Sequence, residues 1–274
     1  MTAPNDPRLA DYRDLKESSL RRASGKFIAE SEPVVRKLIA SGLGIESFLL
    51  TPLHFENLGE VLPTAVPIYV AAPAVLDAIA GFHVHRGCLA IGIRPAEATI
   101  PKDARTVVVL EDLVDVDNVG AMVRNAAAFG ADAVVLSPRS ADPFYRKAIR
   151  VSMGAVFAIP IVRHTRWPEE LLELRANAGF SLVAAVVDAT ATPLRAFRFP
   201  EKTALLLGAE GPGLTPATQA LCDHRVTIPM AAGKADSLNV AIAGALFLYA
   251  RANENCFQSL GPLAARDEDA SVSK

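Results

Sequence analysis

Polar residues follow two short apolar segments in the last third of the chain, where parallel strands are expected to end. The apolar segment 203–207 runs into a glycine-rich loop, Gly-Ala-Glu-Gly-Pro-Gly, at 208–213. The segment 226–228 stops at Pro229, and Asp-Ser-Leu-Asn at 236–239 then precedes a long apolar helix. Open α/β sheets bind their ligands at the carboxyl ends of strands. We therefore expect the chemistry of this chain at these loops.

Glu210 lies in the middle of the glycine-rich loop. Glycines let a backbone approach a ligand closely. The spacing here, however, is not the dinucleotide fingerprint Gly-x-Gly-x-x-Gly. Nor is Gly233-Lys234 followed by the Ser or Thr of a phosphate loop. A tight turn without a ligand explains the glycines equally well. The carboxylate favours a ligand site, because packing gives it no purpose there.

Two predicted helices begin with polar residues that suit either capping or ligand binding. Asn118 caps the first, in which Arg124 interrupts an apolar, alanine-rich run. A guanidinium in such surroundings needs a partner, and its fork geometry suits phosphate. Ser237 or Asp236 as an N-cap explains the start of the second helix, 238–252. The same helix start offers free N–H groups and a positive dipole end to a ligand.

Basic residues cluster between positions 139 and 166, although the formal net charge of the chain is only −2. A solvated surface is the usual explanation for such a run. Clustering against a nearly neutral background favours contact with a polyanion instead. The members are Arg139, Arg146, Lys147, Arg150, Arg163 and Arg166.

A second polar run, His-Val-His-Arg-Gly-Cys at 83–88, lies in the first third of the chain. No second Cys or His pair stands at the spacing that zinc sites use, so we expect no metal. A loop that offers His85 and Arg86 to RNA phosphate or bases is the alternative that we favour.

The composition, 274 residues of which 51% are hydrophobic, allows a sizeable core and two domains. Near-continuous apolar strands that alternate with helices predict a parallel α/β sheet covered on both faces at 105–256. We also predict a helical extension at 1–24, a smaller α/β domain at 25–94, a linker at 95–104 and a polar tail at 257–274.

The sequence contains neither a signal-peptide core nor an apolar run of the roughly 20 residues that a bilayer requires. Its three cysteines are scattered and lack disulfide or metal spacing, which suits a reducing compartment. We therefore expect a cytoplasmic protein with no membrane partner.

Three segments in this order resemble the motifs of the SpoU/TrmH family of SPOUT RNA 2′-O-ribose methyltransferases. They are 117–130 with Asn118 and Arg124, 207–214 continuing to 228–230, and Ser-Leu-Asn-Val at 237–240. The first domain, with His-Arg-Gly at 85–87, resembles the substrate-binding domain of these enzymes, which is related to an RNA-binding ribosomal protein.

The resemblance implies a deep trefoil knot in the second domain, a homodimer, and S-adenosylmethionine as methyl donor without a metal. A ribose 2′-hydroxyl then attacks the methyl group, so the site must align the reactants and remove one proton. The implied catalytic residues are Asn118, Arg124, Glu210, Ser237 and Asn239. The implied cofactor-binding residues are Leu207, Gly208, Glu210, Gly211, Ile228, Pro229, Met230, Ser237, Leu238 and Asn239.

The role of Arg124 has two interpretations. The resemblance assigns it to activating the hydroxyl, but a guanidinium with a pKa above about 12 is a poor base. Arg124 gripping the phosphate beside the target ribose is the alternative. The residues expected to contact RNA are His85, Arg86, Arg124, Arg139, Arg146 and Arg150.

A separate recognition domain suggests a large folded target, so we expect ribosomal RNA of the 23S type rather than transfer RNA. Two other classes of function compete with this hypothesis. A non-catalytic RNA-binding or ribosome-assembly module on the same fold is the first. A nicotinamide-dependent dehydrogenase is the second, and it lacks the glycine fingerprint. Cofactor titration separates all three.

Overall fold

The chain forms two β-sheets in the computed structural model, which describes residues 6–13, 25–80, 87–231 and 235–253. The first sheet has four strands in the order β1-β4-β2-β3, and β4 runs antiparallel to both of its neighbours. Its strands are β1 Lys26–Glu30, β2 Ile45–Leu50, β3 Ile68–Val70 and β4 Cys88–Ile93. Its helices are α1 Glu32–Ser41, α2 Pro52–Leu58 and α3 Pro73–Ala80.

The second sheet has seven strands, and every pairing within it is parallel. Its strands are β5 Thr106–Leu110, β6 Ala133–Leu136, β7 Ile161–Arg163, β8 Ser181–Ala185, β9 Thr192–Pro193, β10 Thr203–Leu207 and β11 His224–Thr227. Its helices are α4 Val116–Ala128, α5 Arg146–Val151, α6 Glu169–Ala178, α7 Pro216–Leu221 and α8 Val240–Ala252. Short 3-10 helices lie at Pro7–Tyr12, Gly59–Val61, Ala155–Phe157 and Leu194–Ala196.

The central strands are apolar throughout because both faces of the second sheet are covered. Along β5, Val108 and Leu110 belong to one hydrophobic cluster, whereas Val107 and Val109 belong to the cluster on the other face. Successive side chains of a strand point to opposite faces, so an uninterrupted β-branched run fills both cores. The predicted α/β fold with a parallel sheet is thereby confirmed.

Strand β10 lies in the middle of the second sheet, in the order β7-β6-β5-β10-β8-β11-β9. It pairs with β5 on one side and β8 on the other, although both precede it in sequence. The chain therefore re-enters the sheet between two earlier strands, and the loop that follows β10 opens at the centre of the carboxyl edge. The deep trefoil knot stays a prediction.

Both helix caps predicted near the site were wrong. Helix α4 is capped by Asp115, whose side chain accepts from the Asp117 N–H at 2.8 Å, so Asn118 lies within the first turn. Helix α8 is capped by Asn239, whose Oδ1 accepts from Ala241 N at 2.9 Å. Several Asp, Asn and Ser residues precede each helix, and each of them suits an N-cap. Sequence therefore could not choose among them.

The two sheets share a hydrophobic cluster and polar contacts. The ring of Phe27 in β1 stacks on Phe157 at a centroid distance of 5.3 Å, and Phe144 lies at the same distance. Arg146 of α5 donates to the buried Glu30 carboxylate at 3.0 Å. These contacts fix the first sheet against the α5 side of the second. The domain boundaries themselves stay predictions.

The part of the predicted 1–24 extension that the structure describes contains the 3-10 helix Pro7–Tyr12. Helix α2 was not predicted. Within the described ranges, no helix combines the length and the apolar character that crossing a bilayer requires.

Candidate functional site

A cavity of about 310 Å³ opens at the carboxyl edge of the second sheet, where β8, β10 and β11 end. Nine of the ten predicted cofactor-binding residues line it: Leu207, Gly208, Glu210, Gly211, Ile228, Met230, Ser237, Leu238 and Asn239. The tenth, Pro229, is described but is not a lining residue. Three separate loops therefore converge on one cavity, as the positions of the strand ends predicted.

One wall of the cavity was not predicted from the sequence. The segment Ala185-Val186-Val187 lines it, together with Ala243 and Phe247 of α8. Strand β8 lies next to β10 in the sheet, so its carboxyl end borders the same cavity. Only the order of the strands reveals this neighbour. An apolar wall with a few polar groups at its edge is the usual composition of a small-molecule site.

Asn118 hydrogen-bonds to two of the other four predicted catalytic residues. Its side-chain Nδ2 donates to Glu210 Oε1, and its Oδ1 accepts from Asn239 Nδ2 at 3.0 Å. Asn118 is 8% exposed, whereas Glu210 and Asn239 are exposed at the cavity edge. Because Asn239 also caps α8, the network fixes the start of that helix relative to the glycine-rich loop.

Gly208 permits the sharp turn that the loop makes after β10. A Cβ at this position would lie 2.1 Å from both Gly213 C and Leu214 N, closer than any real contact. Gly211 and Gly213 have φ values of +83° and +70°, a region that side chains disfavour. Gly208 therefore allows two parts of the loop backbone to approach closely, and Gly211 and Gly213 allow left-handed conformations.

Helix α4 packs one face on α8 and carries Arg124 away from the cavity lining. Asn125 Nδ2 donates to Ala241 O at 2.8 Å, and a Cβ on Gly244 would lie 2.5 Å from Met122 Sδ. Arg124 is exposed, and within the described residues no hydrogen bond or ion pair holds its guanidinium. Ser237 is likewise exposed, at the cavity edge. The catalytic roles of both residues stay predictions.

Four of the six residues in the predicted basic cluster form ion pairs within the protein. Arg139 pairs with Asp112, and this hydrogen-bonded guanidinium lowers the pKa of the Asp112 carboxyl. Arg146 binds Glu30, Lys147 binds Asp117, Arg163 donates to main-chain carbonyls and Arg166 binds Glu173. Arg150 is exposed, and the described residues offer it no ion pair. Sequence showed the cations but not their distant acidic partners.

The other predicted RNA contacts, His85 and Arg86, lie outside the described residues. Contacts of RNA with Arg124, Arg139, Arg146 and Arg150 stay predictions. Among the residues that the structure describes, no group of three or more His, Cys, Asp or Glu side chains is arranged to hold a metal ion.

Residues 105–249, which contain every described part of the cavity, match the family model of the SpoU rRNA Methylase family. The chain belongs to this family. An uncharacterized tRNA/rRNA methyltransferase of Mycobacterium bovis is 42% identical to it over 259 residues, which cover 90% of this chain and 89% of the relative. The 23S rRNA (guanosine-2′-O-)-methyltransferase RlmB of Acinetobacter baylyi is 30% identical over 208 residues, covering 73% and 82%.

Solved structures of the SpoU family are similar over nearly the whole chain. The SpoU methyltransferase AviRb from Streptomyces viridochromogenes, crystallised in complex with the cofactor AdoMet, superposes with a TM-score of 0.79. Its sequence is 25% identical, and the match covers 92% of this chain and 99% of AviRb. The likeness therefore includes both sheets, whereas the family model covers only the second. The family predicted from the three motifs is confirmed.

Proposed function

We propose that this SpoU-family protein transfers a methyl group from S-adenosylmethionine to a ribose 2′-hydroxyl of large-subunit ribosomal RNA. The observation that carries the proposal is the Asn118–Glu210–Asn239 network at the edge of a cavity that nine predicted cofactor-binding residues line. The names of RlmB, an rRNA 2′-O-methyltransferase, and of AviRb, bound to AdoMet, support the reaction and the cofactor.

The cavity fits a cofactor of this kind. A volume of about 310 Å³ falls at the lower end of the roughly 300–1,000 Å³ typical of small-molecule pockets. Five residues of the loop 208–213, three of them glycines, line the cavity, and Ile228, Met230 and Leu238 add apolar side chains. When bound, the cofactor supplies an electrophilic methyl group on a positively charged sulfonium. A carboxylate at the edge, Glu210, favours a positively charged ligand over an anionic one.

The substrate side of the site is assembled from exposed polar groups. Asn118 holds the Glu210 carboxylate in place, and Asn239 fixes the start of α8 beside it. Arg124 offers an exposed guanidinium to the phosphate next to the target ribose, where its fork geometry orients the hydroxyl. The proton of that hydroxyl then leaves through the phosphate or water, because a guanidinium is a poor base.

The assembly we propose is a homodimer that uses α8. Ile242, Leu246 and Tyr249 are 55%, 42% and 48% exposed, although they are large and apolar. Their spacing of four and three residues puts them on one face of the helix. A second copy of the chain would cover this face. We place the dimer in the cytoplasm, in keeping with an rRNA substrate, and retain the knot and the domain boundaries as part of the proposal.

Titration calorimetry with S-adenosylmethionine tests the cofactor assignment, with a nicotinamide dinucleotide as the negative control. We expect saturable binding of the methyl donor and no heat from the dinucleotide. If S-adenosylmethionine did not bind, the non-catalytic RNA-binding module would replace the enzyme as the better account.

A further inference from the structure

Glu111 is a buried carboxylate that none of the proposed steps uses. It directly follows β5 and is 1% exposed. Its Oε1 accepts from Trp167 Nε1 at 2.8 Å, Thr215 Oγ1 at 2.9 Å and Thr218 Oγ1 at 2.6 Å, and its Oε2 accepts from Thr215 N at 2.9 Å. A buried charge is costly unless it is fully hydrogen-bonded. The sequence does not single it out, because it is one of several acidic residues in the segment 111–117.

This single residue bonds both ends of the glycine-rich loop. Its main-chain N–H donates to the carbonyl of Leu207, the last residue of β10, at 2.9 Å. Its carboxylate accepts from the N–H of Thr215, which lies two residues after the loop and is the N-cap of α7. The residues between these two anchors, 208–214, include five that line the cavity. Glu111 therefore fixes the distance between the two ends of the loop.

We propose that Glu111 is a positioning residue for the cofactor, acting through the glycine-rich loop. Glu111 does not line the cavity, so it does not touch the ligand. By fixing both loop ends, it presents the loop backbone in the binding conformation before the cofactor arrives. Preorganisation lowers the ordering cost of binding. Its loss therefore weakens cofactor affinity more than the chemical step. The inference rests on the proposed function, because it concerns the same cavity.

The charge of Glu111 matters as well as its shape. A glutamine has nearly the same volume, but one of its two terminal groups is a donor. If its NH₂ faced Thr215 N–H, two donors would oppose each other; if it were turned around, the NH₂ would face Trp167 Nε1–H, which cannot accept. Either orientation leaves one partly buried N–H without an acceptor, so the glutamine destabilises the cluster.

Trp167 supplies a direct readout of this cluster, since it is the one tryptophan of the chain and donates to Glu111. Binding of the cofactor restrains the loop, and the loop is joined to Trp167 through Glu111. We expect S-adenosylmethionine to change the fluorescence of Trp167 in the wild-type protein. The Glu111→Gln variant uncouples the loop from the indole, so at saturation this change becomes smaller.

The decisive experiment compares Glu111→Gln with Glu30→Gln in a methyl-transfer assay on RNA. Glu30 is a matched control, because it is also buried and bonded but contacts Arg146 at the boundary of the two sheets. We expect Glu111→Gln to raise the KM for S-adenosylmethionine about tenfold, the equivalent of one lost hydrogen bond, while kcat changes far less. Glu30→Gln should leave that KM at the wild-type value. An unchanged KM in folded Glu111→Gln, or an equal rise in Glu30→Gln, overturns the proposal.

If Glu111→Gln does not fold, Thr218→Val takes its place, because it removes one donor to Glu111 at nearly constant volume. A smaller rise in the same KM supports the proposal, and a wild-type KM contradicts it. Failure of the proposed function is distinguishable from both results. In that case the wild-type protein itself binds no S-adenosylmethionine in calorimetry.

Discussion

Asn118 and Glu210 lie 92 positions apart in the sequence, yet the amide of Asn118 donates directly to the carboxylate of Glu210. The contact joins the first turn of α4 to the loop after β10, and Asn239 extends it to the cap of α8. Each of the three motifs of the chain contributes one side chain to this network. We propose that this network fixes the cofactor-binding loops relative to the residues that contact RNA.

Exchanging the amide and the carboxylate of this pair tests whether it holds the loop. Asn118→Asp alone places two carboxylates together, so we expect a loss of about 1–2 kcal/mol in unfolding free energy. One of the two carboxyls then acquires a raised pKa, and the loss becomes smaller as the pH falls and that carboxyl is protonated. Adding Glu210→Gln restores a donor and an acceptor, so most of the stability returns. Urea unfolding of the double-mutant cycle measures this coupling; additive effects would contradict it.

Gly208 should tolerate alanine less well than Gly211 does. At Gly208 the new Cβ meets the main chain of Gly213 and Leu214, so the whole loop must move. At Gly211 nothing lies within 4 Å, and alanine only adds the left-handed backbone cost of about 1–2 kcal/mol. We expect Gly208→Ala to lose S-adenosylmethionine binding in calorimetry, while Gly211→Ala weakens it. If Gly208→Ala bound S-adenosylmethionine with wild-type affinity, the loop would not be part of the cofactor site.

Arg124→Ala should separate cofactor binding from methyl transfer. Arg124 is exposed and does not line the cavity, so the affinity for S-adenosylmethionine stays at the wild-type value. The rate of methyl transfer should fall by about 100-fold or more, a typical cost of losing a group that aligns the reaction. Arg175→Ala is the control, because Arg175 is an exposed arginine of α6 that does not line the cavity and pairs with Asp223. Full transfer activity in either Arg124→Ala or Arg124→Lys would show that the residue has no catalytic part.

Leu246→Glu should convert the proposed dimer into monomers. A charge in the apolar face of Ile242, Leu246 and Tyr249 would be buried without a partner in the interface. Light scattering should give twice the 29.1 kDa chain mass for the wild type and the single chain mass for the variant. Leu172→Glu, at a partly exposed leucine of α6, should remain a dimer. A monomeric wild type, or dissociation of both variants, would contradict the use of α8.

Sequence predicted the cavity well because parallel strands place their carboxyl ends at one edge. Residues after β10 and β11 therefore had to converge, whatever the details of their loops. Sequence failed where the answer depended on a partner far along the chain. The sequence does not show that Arg146 donates to Glu30, or that Thr215 and Trp167 donate to Glu111. Contact of Arg146 with RNA stays a prediction.

Helix caps form a second class of failure, for a local reason. Asp115 and Asn118, like Asp236, Ser237 and Asn239, are all competent N-caps. Which one caps depends on where the preceding loop turns, and tertiary contacts decide that. Asn118 lies in the first turn, where its side chain bonds Glu210 and Asn239, and Asp115 is the cap.

The central claim is methyl transfer to a ribose of ribosomal RNA, and one measurement tests it most directly. Purified protein and its Arg124→Ala variant are incubated with tritium-labelled S-adenosylmethionine and total RNA from cells that lack the gene, and labelled positions are then mapped. We predict label on a ribose 2′-oxygen of 23S rRNA with the wild type and almost none with the variant. Label confined to transfer RNA or to a base, or no label despite measured cofactor binding, would contradict the account.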